Sequence, residues 1–340
     1  MTLGPYDGAG PEWDAFVRDR PFWTPFHLYG WKAILEDGFG HECPYLACRD
    51  ESGSLVGVLP LVRVRSALFG HYLVSMPFLN YGGPLGEEKA VRRLAGAAVR
   101  LSEESGADLL ELRSRRPLPI DLPVSHRKVT VTMPLPAEAP EVLWDGLAAK
   151  VRSQVRRPRK EGVEVRFGED QIGPFYRVFA RHMRDLGTPV LPRELFASIA
   201  RAFPTEFRVG CAWLGGRPVA GGCGFRWAHE FELTWASSLR PYNRIAPNML
   251  LYWRFMEEMT REGATLFNFG RCTPGGGTHR FKRQWGGEDE TLWWYQRSNA
   301  GQAGTPSPES PRYALATRLW RRLPLPLANR LGPRLVRFIP

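Results

Sequence analysis

Two segments of the chain repeat one pattern, and this repeat limits the folds open to it. Residues 91–114 read VRRLAGAAVRLSEESGADLLELRS, and residues 248–271 read NMLLYWRFMEEMTREGATLFNFGR. Each begins with apolar residues at helical spacing, passes through Gly-Ala and ends in a short apolar stretch typical of a strand. Aligning Ala107 with Ala264 places the copies 157 residues apart (264 − 107), which indicates two related halves.

Helical periodicity predicts where the two helices begin and end. Asn248 is a candidate cap for the second helix, Gly263 a candidate left-handed end, and Gly106 ends the first helix in the same way. The predicted buried stripes are Val91, Leu94, Ala95 and Ala98 in the first helix, and Met249, Tyr252, Trp253, Met256 and Met259 in the second.

A second repeated pair lies upstream of these helices. PYLACRDESGSLVGVLPLV (44–62) and FRVGCAWLGGRPVAGGCGFRW (207–227) both read as strand, turn, strand, with Gly215-Gly216 as the turn of the second hairpin. The predicted fold class is therefore α/β with mixed sheets, as two copies of one unit. We expect domains at 1–135 and 136–298 and a tail at 299–340, because the stretch near 130–145 is rich in Pro and Ala.

Composition favours an anionic partner. The 340 residues carry a formal net charge of +11, which suits nucleic acid, a phosphate-bearing ligand or an anionic membrane, although a basic surface alone is the alternative. The five cysteines match no zinc spacing and predict free thiols in a reducing cytoplasm. No secretory signal is visible, and no apolar stretch reaches the ~18 residues of a membrane-spanning helix.

Several stretches resemble the FemAB-type aminoacyltransferases, which consist of tandem N-acetyltransferase (GNAT) folds. The order helix, hairpin, strand, helix, strand is similar to the GNAT unit itself. The matching stretches are AKVRSQVRRPRKEGVEVR (149–166), YNRIAPNMLLYW (242–253), LFNFGR (266–271) and FKRQWGG (281–287). FGRCTPGGGTHRFKRQWG, with NYGGPLG at 80–86, is most similar to FemAB-related proteins associated with exosortase (PEP-CTERM) and exopolysaccharide loci.

The sequence departs from the family pattern in three places. Asn268 stands where the family usually has Asp, so a role that needs a carboxylate there is in doubt. Pro158 interrupts the basic helix, which we expect to end near Arg157. The segment LRPYNRIAPNML lacks the GNAT glycine-rich pyrophosphate loop, and Pro241 and Pro247 remove backbone donors, which weakens the argument for a coenzyme A donor.

The resemblance implies catalytic residues near the end of LFNFGR (266–271), the predicted strand that closes the second copy of the repeat. Lys282, after Phe281 in the Fem-like pair, would hold a phosphate or the oxyanion of an attacked ester; the alternative is a solvated lysine in a turn. Asn268 and His182 complete the catalytic candidates, and His182 is the only histidine offered as a base, against a structural histidine as the alternative.

Binding candidates surround this position. Arg271 and Arg280 flank Gly275, Gly276 and Gly277, whose backbone N–H groups could approach an anion, unless the loop is merely flexible. Trp285 would stack on a sugar or base ring or else pack in the core. The remaining candidates are Asn80, Tyr81, Tyr176, Tyr242, Asn243 and Asn248, together with Arg152, Arg156 and Arg157 of the basic helix, which would track phosphates unless it is only a solvated face.

The tail reads as a flexible linker at 300–311 and a basic amphipathic segment from Arg312, with helix breaks at Pro324 and Pro326. It suits an anionic membrane surface, or packing on the protein's own body.

The function implied is an acyltransferase acting in the cytoplasm, at the inner face of the membrane. It forms an amide on a lipid-linked or nucleotide-linked envelope or exopolysaccharide precursor. Aminoacyl-tRNA is the expected donor cosubstrate and acyl-CoA the alternative, with no tightly bound cofactor and no metal. A non-catalytic module docking on a lipid-linked glycan or on an export or assembly complex is the rival from another class.

Overall fold

The structure, a computed structural model, describes residues 1–66, 70–137, 139–299 and 311–339. By contacts between residues, the described chain groups into two units. The first unit contains the described residues of 1–127, 291–314 and 335–340, and the second contains those of 128–290 and 315–334.

The first unit holds two sheets, ordered β1-β2-β3-β6 and β4-β5-β7-β16-β8. The strands are β1 (Thr2–Pro5), β2 (Leu46–Arg49), β3 (Leu55–Leu59), β4 (Val62–Ser66), β5 (Gly70–Val74), β6 (Leu85–Gly86), β7 (Leu109–Ser114), β8 (Val124–Ser125) and β16 (Trp293–Ser298). The helices are α1 (Gly10–Arg18), α2 (Gly30–Phe39) and α3 (Glu88–Glu104), with a 3-10 turn at Pro25–His27. The predicted stripe of α3 is buried against β2, β3 and β7.

The second unit is built on one seven-stranded sheet, ordered β10-β11-β12-β13-β14-β9-β15. The strands are β9 (Val129–Pro134), β10 (Glu164–Phe167), β11 (Phe207–Leu214), β12 (Arg217–Trp227), β13 (Glu230–Ser238), β14 (Leu266–Cys272) and β15 (Glu288–Thr291). The helices are α4 (Pro140–Gly146), α5 (Ala149–Lys160), α6 (Ile172–Leu186), α7 (Arg193–Ala202), α8 (Pro247–Arg261) and α9 (Gly277–Arg283), with 3-10 turns at Glu169–Gln171 and Arg240–Ile245. All five apolar residues predicted for the stripe of α8 are buried in the core.

Each unit contains a parallel strand pair among its described strands. In the first unit β5 pairs with β7 from Tyr72↔Leu109 to Val74↔Glu111. In the second unit β13 pairs with β14 from Glu230↔Leu266 to Glu232↔Asn268, and both strands continue unpaired to each other beyond that point. The last pairs end at Glu111 and Asn268, which are 157 residues apart in the sequence. This confirms the repeat and its register.

The turn predictions are confirmed at the glycines. Gly106 and Gly263 have φ of +63° and +81° directly after the last turns of α3 and α8. Gly215 and Gly216, at φ +54° and +73°, join β11 to β12 in a two-residue hairpin.

Two predicted helix ends are wrong. Asn248 does not cap α8, because the helix already begins at Pro247, and the capping residue is Ala246 in the left-handed region (φ +56°). Proline suits the first helical position, where no backbone N–H is required. Helix α5 does not end near Arg157 but continues through Pro158 to Lys160. Val151, Val155 and Pro158 form its buried stripe, and α5 packs against α8, so burial outweighs the helix-breaking tendency of the proline.

The tail forms helices α10 (Pro311–Trp320) and α11 (Leu325–Val336), while residues 300–310 of the expected linker lie outside the described residues. The break expected at Pro324 is present, since α11 begins at Leu325. Pro326 lies in the first turn of α11 and does not break it, because a backbone N–H has no helical partner at that position.

Gly224 offers a direct test of the strand geometry. A Cβ at this position would lie 1.9 Å from the backbone oxygen of Glu232, where the β12–β13 register shifts between Cys223 and Phe225. We expect Gly224→Ala to lower the free energy of unfolding by about 3 kcal/mol in urea titrations, because backbone must move. Gly146→Ala, where nothing lies within 4 Å of the new Cβ, is the control; equal stability of the two variants would contradict the expectation.

Candidate active site

A buried polar cluster lies where β13 and β14 separate. Its side chains come from β9, β13, β14 and α9, and all have less than a tenth of their surface exposed: Thr130, Glu230, Glu232, Asn268 and Lys282. Buried polar groups are costly unless they are hydrogen bonded, so the contacts within this cluster decide its stability and its chemistry.

Asn268 is fully buried at the centre of the cluster. Its Oδ1 accepts hydrogen bonds from Thr130 Oγ1 (2.5 Å) and from the backbone N–H of Gly270 (2.8 Å). Its Nδ2 donates to Glu230 Oε1 (2.8 Å) and to Glu232 Oε2 (3.3 Å). Because a backbone N–H can only donate, the contact with Gly270 fixes which end of the amide faces the two glutamates.

These contacts explain why this position carries asparagine. An aspartate could still accept from Thr130 and Gly270, but it would offer no N–H to Glu230 and Glu232 and would add a third carboxylate to the cluster. Asparagine in place of the aspartate of the Fem-like pattern therefore suits a position that faces two glutamates of β13, Glu230 and Glu232.

Lys282 is buried rather than solvated, with 3% of its surface exposed. Helix α9 directs its Nζ to the backbone oxygens of Gly270 (2.5 Å) and Arg271 (3.0 Å), beyond the point where β14 leaves β13. An ammonium group has three protons, and these two carbonyls use two of them. The alternative of an exposed turn lysine is excluded by this burial.

The surroundings lower the pKa of Lys282 to about 8. Burial is the main cause, because it disfavours the charged form; Cys272 and Glu232 oppose it, and the Arg271 guanidinium reinforces it. Burial also raises the pKa of the Cys272 thiol, which is buried like the other four free cysteines.

The glycine-rich loop is held by side chains of α9. His279 Nδ1 accepts from the backbone N–H of Gly275 (3.1 Å), and its Nε2 lies 2.9 Å from both carboxylate oxygens of Asp289. Arg280 donates to the backbone oxygen of Gly275 (2.7 Å). The loop is thus ordered by the chain itself, and both Arg280 and the Gly275 N–H already have partners within it.

The predicted stacking residue lies in the core. Trp285 is 3% exposed and shares an aromatic cluster with Tyr252, Phe269 and Phe281. Phe281 is half-buried and meets Tyr252 edge-on at 4.9 Å between ring centroids. This location corresponds to the core-packing alternative for Trp285, since no ring face is open to a ligand.

The segment before α8 presents exposed cations. Arg240, Asn243 and Arg244 are exposed on the 3-10 turn, while Tyr242 is half-buried against the core. Asn248 is half-buried in the first turn of α8.

The three arginines of α5 have different surroundings. Arg152 donates to the backbone oxygens of Asp145 and Leu147 (both 2.8 Å), at the end of α4, so it is engaged within the fold. Arg156 is exposed, 5.2 Å from the ring centroid of Trp144. Arg157 donates to the backbone oxygen of Arg244 (3.1 Å), which joins α5 to the 3-10 turn before α8.

An open concavity lies on the exposed side of α5. It has a volume of about 310 Å³ and is lined by Ser153, Arg156, Arg157, Lys160 and Glu161. Arg156, Arg157 and Lys160 are therefore the basic residues of this concavity, and Arg152 is not among them.

Helix α6 carries the two remaining candidates of the second unit. The Tyr176 hydroxyl donates to the backbone oxygen of Leu191 (3.2 Å), and burial raises the pKa of Tyr176 to about 12. The ring of His182 is hydrogen bonded to the backbone of Ser238 at the end of β13, and its Nδ1 finds no partner among the described residues. Burial lowers the pKa of His182, with Arg240 adding to the effect, which favours the neutral imidazole.

Asn80 and Tyr81 belong to the first unit, where both are buried. Tyr81 packs against Phe26 at 5.4 Å and lies under the Arg115 guanidinium. Their predicted role at an acceptor cleft remains a prediction.

Sequence reasoning missed Glu230, Glu232 and Thr130. A signal was present: HEFELTW places Glu230, Glu232 and Thr234 at alternate positions of one strand, and alternate residues share a face of the sheet. Thr234 Oγ1 donates to Glu232 Oε1 (3.2 Å), which confirms the shared face. Among the described residues, no group of three His, Cys, Asp or Glu side chains is placed to hold a metal ion.

The comparisons agree with this architecture. Residues 148–283 match the family model described as an acetyltransferase (GNAT) domain, a stretch that includes both strands of the second parallel pair. The chain therefore contains a GNAT domain, and it is an acyltransferase. No curated protein matches the chain.

Solved structures extend the similarity to nearly the whole chain. The crystal structure of FemX superposes with a TM-score of 0.64 at 14% identity, covering 87% of this chain and 97% of that one. L-PGS from Bacillus licheniformis gives a TM-score of 0.54 at 12% identity, covering 98% and 99% of the two chains. A tandem GNAT protein from the clavulanic acid biosynthesis pathway gives 0.51 at 15% identity, covering 89% and 99%. These likenesses show the fold and confirm the predicted tandem GNAT-like architecture.

Asn268→Asp tests the explanation of the buried amide. We expect a loss of about 2–4 kcal/mol in the free energy of unfolding at pH 7, since a hydrogen-bond donor becomes a third acid. Burial and the neighbouring acids raise the pKa of the introduced carboxyl above about 3.9, its value in the unfolded chain. The loss is therefore largest above the raised pKa and shrinks as the pH falls through it. Urea titrations at pH 5 and 7 measure this, with the exposed Asn243→Asp as control; a loss independent of pH would contradict it.

Lys282→Met tests the lowered lysine pKa. Between about pH 8 and 10.5 the unfolded wild type binds the Lys282 proton and the folded wild type does not, so wild-type stability gains with pH. From pH 7 to 9.5 we expect the unfolding free energy of the wild type to rise by about 2 kcal/mol relative to Lys282→Met. Lys150→Met, at an exposed lysine, is the control. If the unfolding free energies of the wild type and Lys282→Met change equally with pH, the pKa of Lys282 is not lowered.

Proposed function

We propose that the second half of the chain, within residues 136–298, forms an amide between an activated acyl group and an amino group. The observation that carries this proposal is Lys282: a buried ammonium group, held by two carbonyls of β14 where the parallel pair opens. Its third proton can bind the oxyanion that develops when an amine attacks an ester, in a site of low dielectric constant where such a contact is strong.

The reaction needs little further chemistry from the protein. The amine nitrogen attacks the carbonyl carbon, a C–N bond forms, and the bond from carbonyl carbon to the oxygen or sulfur of the carrier breaks. The nitrogen loses one proton, and the leaving carrier gains one. His182 is the proposed acceptor of the first proton, because burial favours its neutral form and its Nδ1 has no partner among the described residues.

We assign Asn268 a positioning role. Its side chain is fully engaged with Thr130, Gly270, Glu230 and Glu232, so it fixes the two strands at the point where they separate. Arg271 lies close enough to affect the Lys282 ammonium and is the proposed contact for a phosphate of the substrate.

We propose aminoacyl-tRNA as the donor. Arg156, Arg157 and Lys160 give α5 an exposed basic surface, and Arg157 connects it to the cationic turn before α8. Such a surface suits the phosphate backbone of an acceptor arm. Acyl-CoA is the second candidate, favoured by the match of residues 148–283 to an acetyltransferase family model.

The proposed acceptor is the amino group of a cell-envelope precursor. The FemX-like fold is consistent with a peptidoglycan precursor, and the motifs shared with exosortase-associated FemAB-related proteins favour an exopolysaccharide precursor. We place the protein in the cytoplasm, with residues 312–340 at the inner face of the membrane. No helix among the described residues is long and apolar enough to cross a bilayer.

Lys282→Ala tests the catalytic proposal. We expect kcat to fall by roughly 10²–10³, with donor affinity nearly unchanged, because the lost contact forms only in the transition state. Single-turnover transfer from aminoacyl-tRNA or acetyl-CoA to a surrogate amine such as hydroxylamine measures the rate. Lys128→Ala is the control: Lys128 Nζ binds Thr273 Oγ1 (2.7 Å) on the same loop but not the β14 carbonyls. Equal rates in both variants would overturn the role of Lys282.

The donor is identified by titrating charged tRNA and acetyl-CoA at low and moderate salt. If tRNA is the donor, changing Arg156, Arg157 and Lys160 together to Gln weakens its binding and lowers the slope of log K against log salt by roughly 2–3. Changing the exposed Arg177, Arg201 and Arg217 to Gln removes the same charge elsewhere on this unit and leaves the slope near wild type. Binding of coenzyme A without tRNA binding would select the second candidate.

A further inference from the structure

The two tail helices are fixed to the second unit along one side. Arg321 donates through Nε and Nη2 to the backbone oxygen of Leu186 (3.2 and 3.1 Å), the last residue of α6. In return, Arg184 donates to the backbone oxygen of Leu323 (3.1 Å). A cation at the end of a helix also interacts favourably with the helix dipole.

The packing of both helices is close. Thr317 lies against Gly187, where an added Cβ would be 2.4 Å from its Cγ2. On α11, Ala328 is buried, and Gly332 approaches the backbone of Val190 so closely that a Cβ would lie 2.8 Å from its nitrogen. One side of residues 315–334 therefore packs on the second unit. This agrees with the alternative that the tail packs on the protein's own body.

The opposite side of α10 is apolar and basic. Leu315 and Leu319 are 58% and 57% exposed, and Arg318 and Arg322 are exposed as well. Their spacing of three and four residues places them along one stripe of the helix, with Arg322 just beyond its end. On α11, Leu327, Arg330 and Arg334 are exposed with the same type of spacing.

We infer that this exposed surface, hereafter the leucine–arginine face (Leu315, Arg318, Leu319 and Arg322), binds an anionic lipid bilayer. Leucines at the centre of a basic stripe enter the region between headgroups and acyl chains, while the arginines meet the lipid phosphates. A nucleic acid backbone would satisfy the arginines but would leave the leucines without an apolar counterpart. Within 315–334 the chain contains no Asp or Glu that would oppose an anionic surface.

Docking on α6 gives this face a fixed direction. A free amphipathic tail would bind the bilayer in any orientation of the protein, whereas helices held at the end of α6 and at Val190 orient the second unit relative to the lipid. The inference deepens the proposed function, because it would place the GNAT domain beside an envelope precursor, but lipid binding is measurable without any transfer reaction.

Vesicle binding of the full chain is the test. Vesicles of phosphatidylcholine alone are compared with vesicles of an equal mixture of phosphatidylglycerol and phosphatidylcholine, by cosedimentation at low and high salt. We expect binding to the anionic vesicles only, weakened by salt. Arg318→Gln with Arg322→Gln is expected to weaken partitioning roughly twenty-fivefold, at about fivefold for each arginine. Leu315→Glu with Leu319→Glu is expected to abolish it.

Matched controls separate this face from general charge and from folding. Val142→Glu changes another highly exposed apolar residue, on α4, and Arg177→Gln with Arg217→Gln removes two exposed arginines elsewhere on the same unit. Both controls are expected to bind like the wild type, and all four changed residues of the face are exposed, so thermal unfolding should be unchanged.

Several results would overturn the inference. Equal binding to neutral vesicles would exclude an anionic bilayer as the specific partner. Wild-type binding by the Leu315→Glu, Leu319→Glu variant would exclude the face as the lipid contact. A wild type that binds no vesicles but forms a dimer that the same variant dissociates would assign the face to a second copy of the chain. Transfer from a soluble donor to a soluble amine should be unaffected by these variants, which separates this test from that of the proposed function.

Discussion

The hydrogen bonds of one buried amide organise the second half of the chain. Asn268 joins the last paired residues of β13 and β14 to β9, because its oxygen accepts from Thr130 and Gly270 while its nitrogen serves two glutamates. Beyond this point β14 is no longer paired with β13, and the carbonyls of Gly270 and Arg271 accept hydrogen bonds from Lys282. Lys282 is thus held in a buried position just beyond the point where β13 and β14 separate, and the hydrogen bonds of Asn268 fix the two strands at that point.

In the first half, β5 ends at its last pair with β7, and a buried arginine of β7 holds the loop that follows. Glu111, at the position equivalent to Asn268, pairs with the buried Arg113 (2.6 Å). Arg113 also donates to the backbone oxygens of Leu79 (3.0 Å) and Met76 (3.4 Å), and its own carbonyl accepts from Gly82 and Gly83. The loop after β5 is therefore held against β7 by Arg113, and Asn80 and Tyr81 are buried within it.

The loop in the first half is also strained. Met76 has φ of +56° and Phe78 has φ of +70°, conformations that cost non-glycine residues about 1–3 kcal/mol each. Such strain persists because the ion pair and the backbone contacts of Arg113 hold the loop in place. The two parallel pairs are therefore followed by different contacts: a buried arginine that holds a loop in the first half, and a buried lysine bound to two β14 carbonyls in the second.

The sequence by itself determined the repeat and its offset of 157 residues, the turn glycines and the buried stripes of α3 and α8, because these depend on periodicity and backbone conformation close along the chain. Through the Fem-like motifs it also indicated Lys282 and the tandem GNAT-like fold. It did not reveal the engagement of Arg152 and Arg280, the core position of Trp285 or the continuation of α5 past Pro158. Those depend on neighbours distant in sequence. Tertiary structure alone brought Thr130, Glu230 and Glu232 to Asn268, since hydrogen bonds and desolvation act between groups that only folding places together.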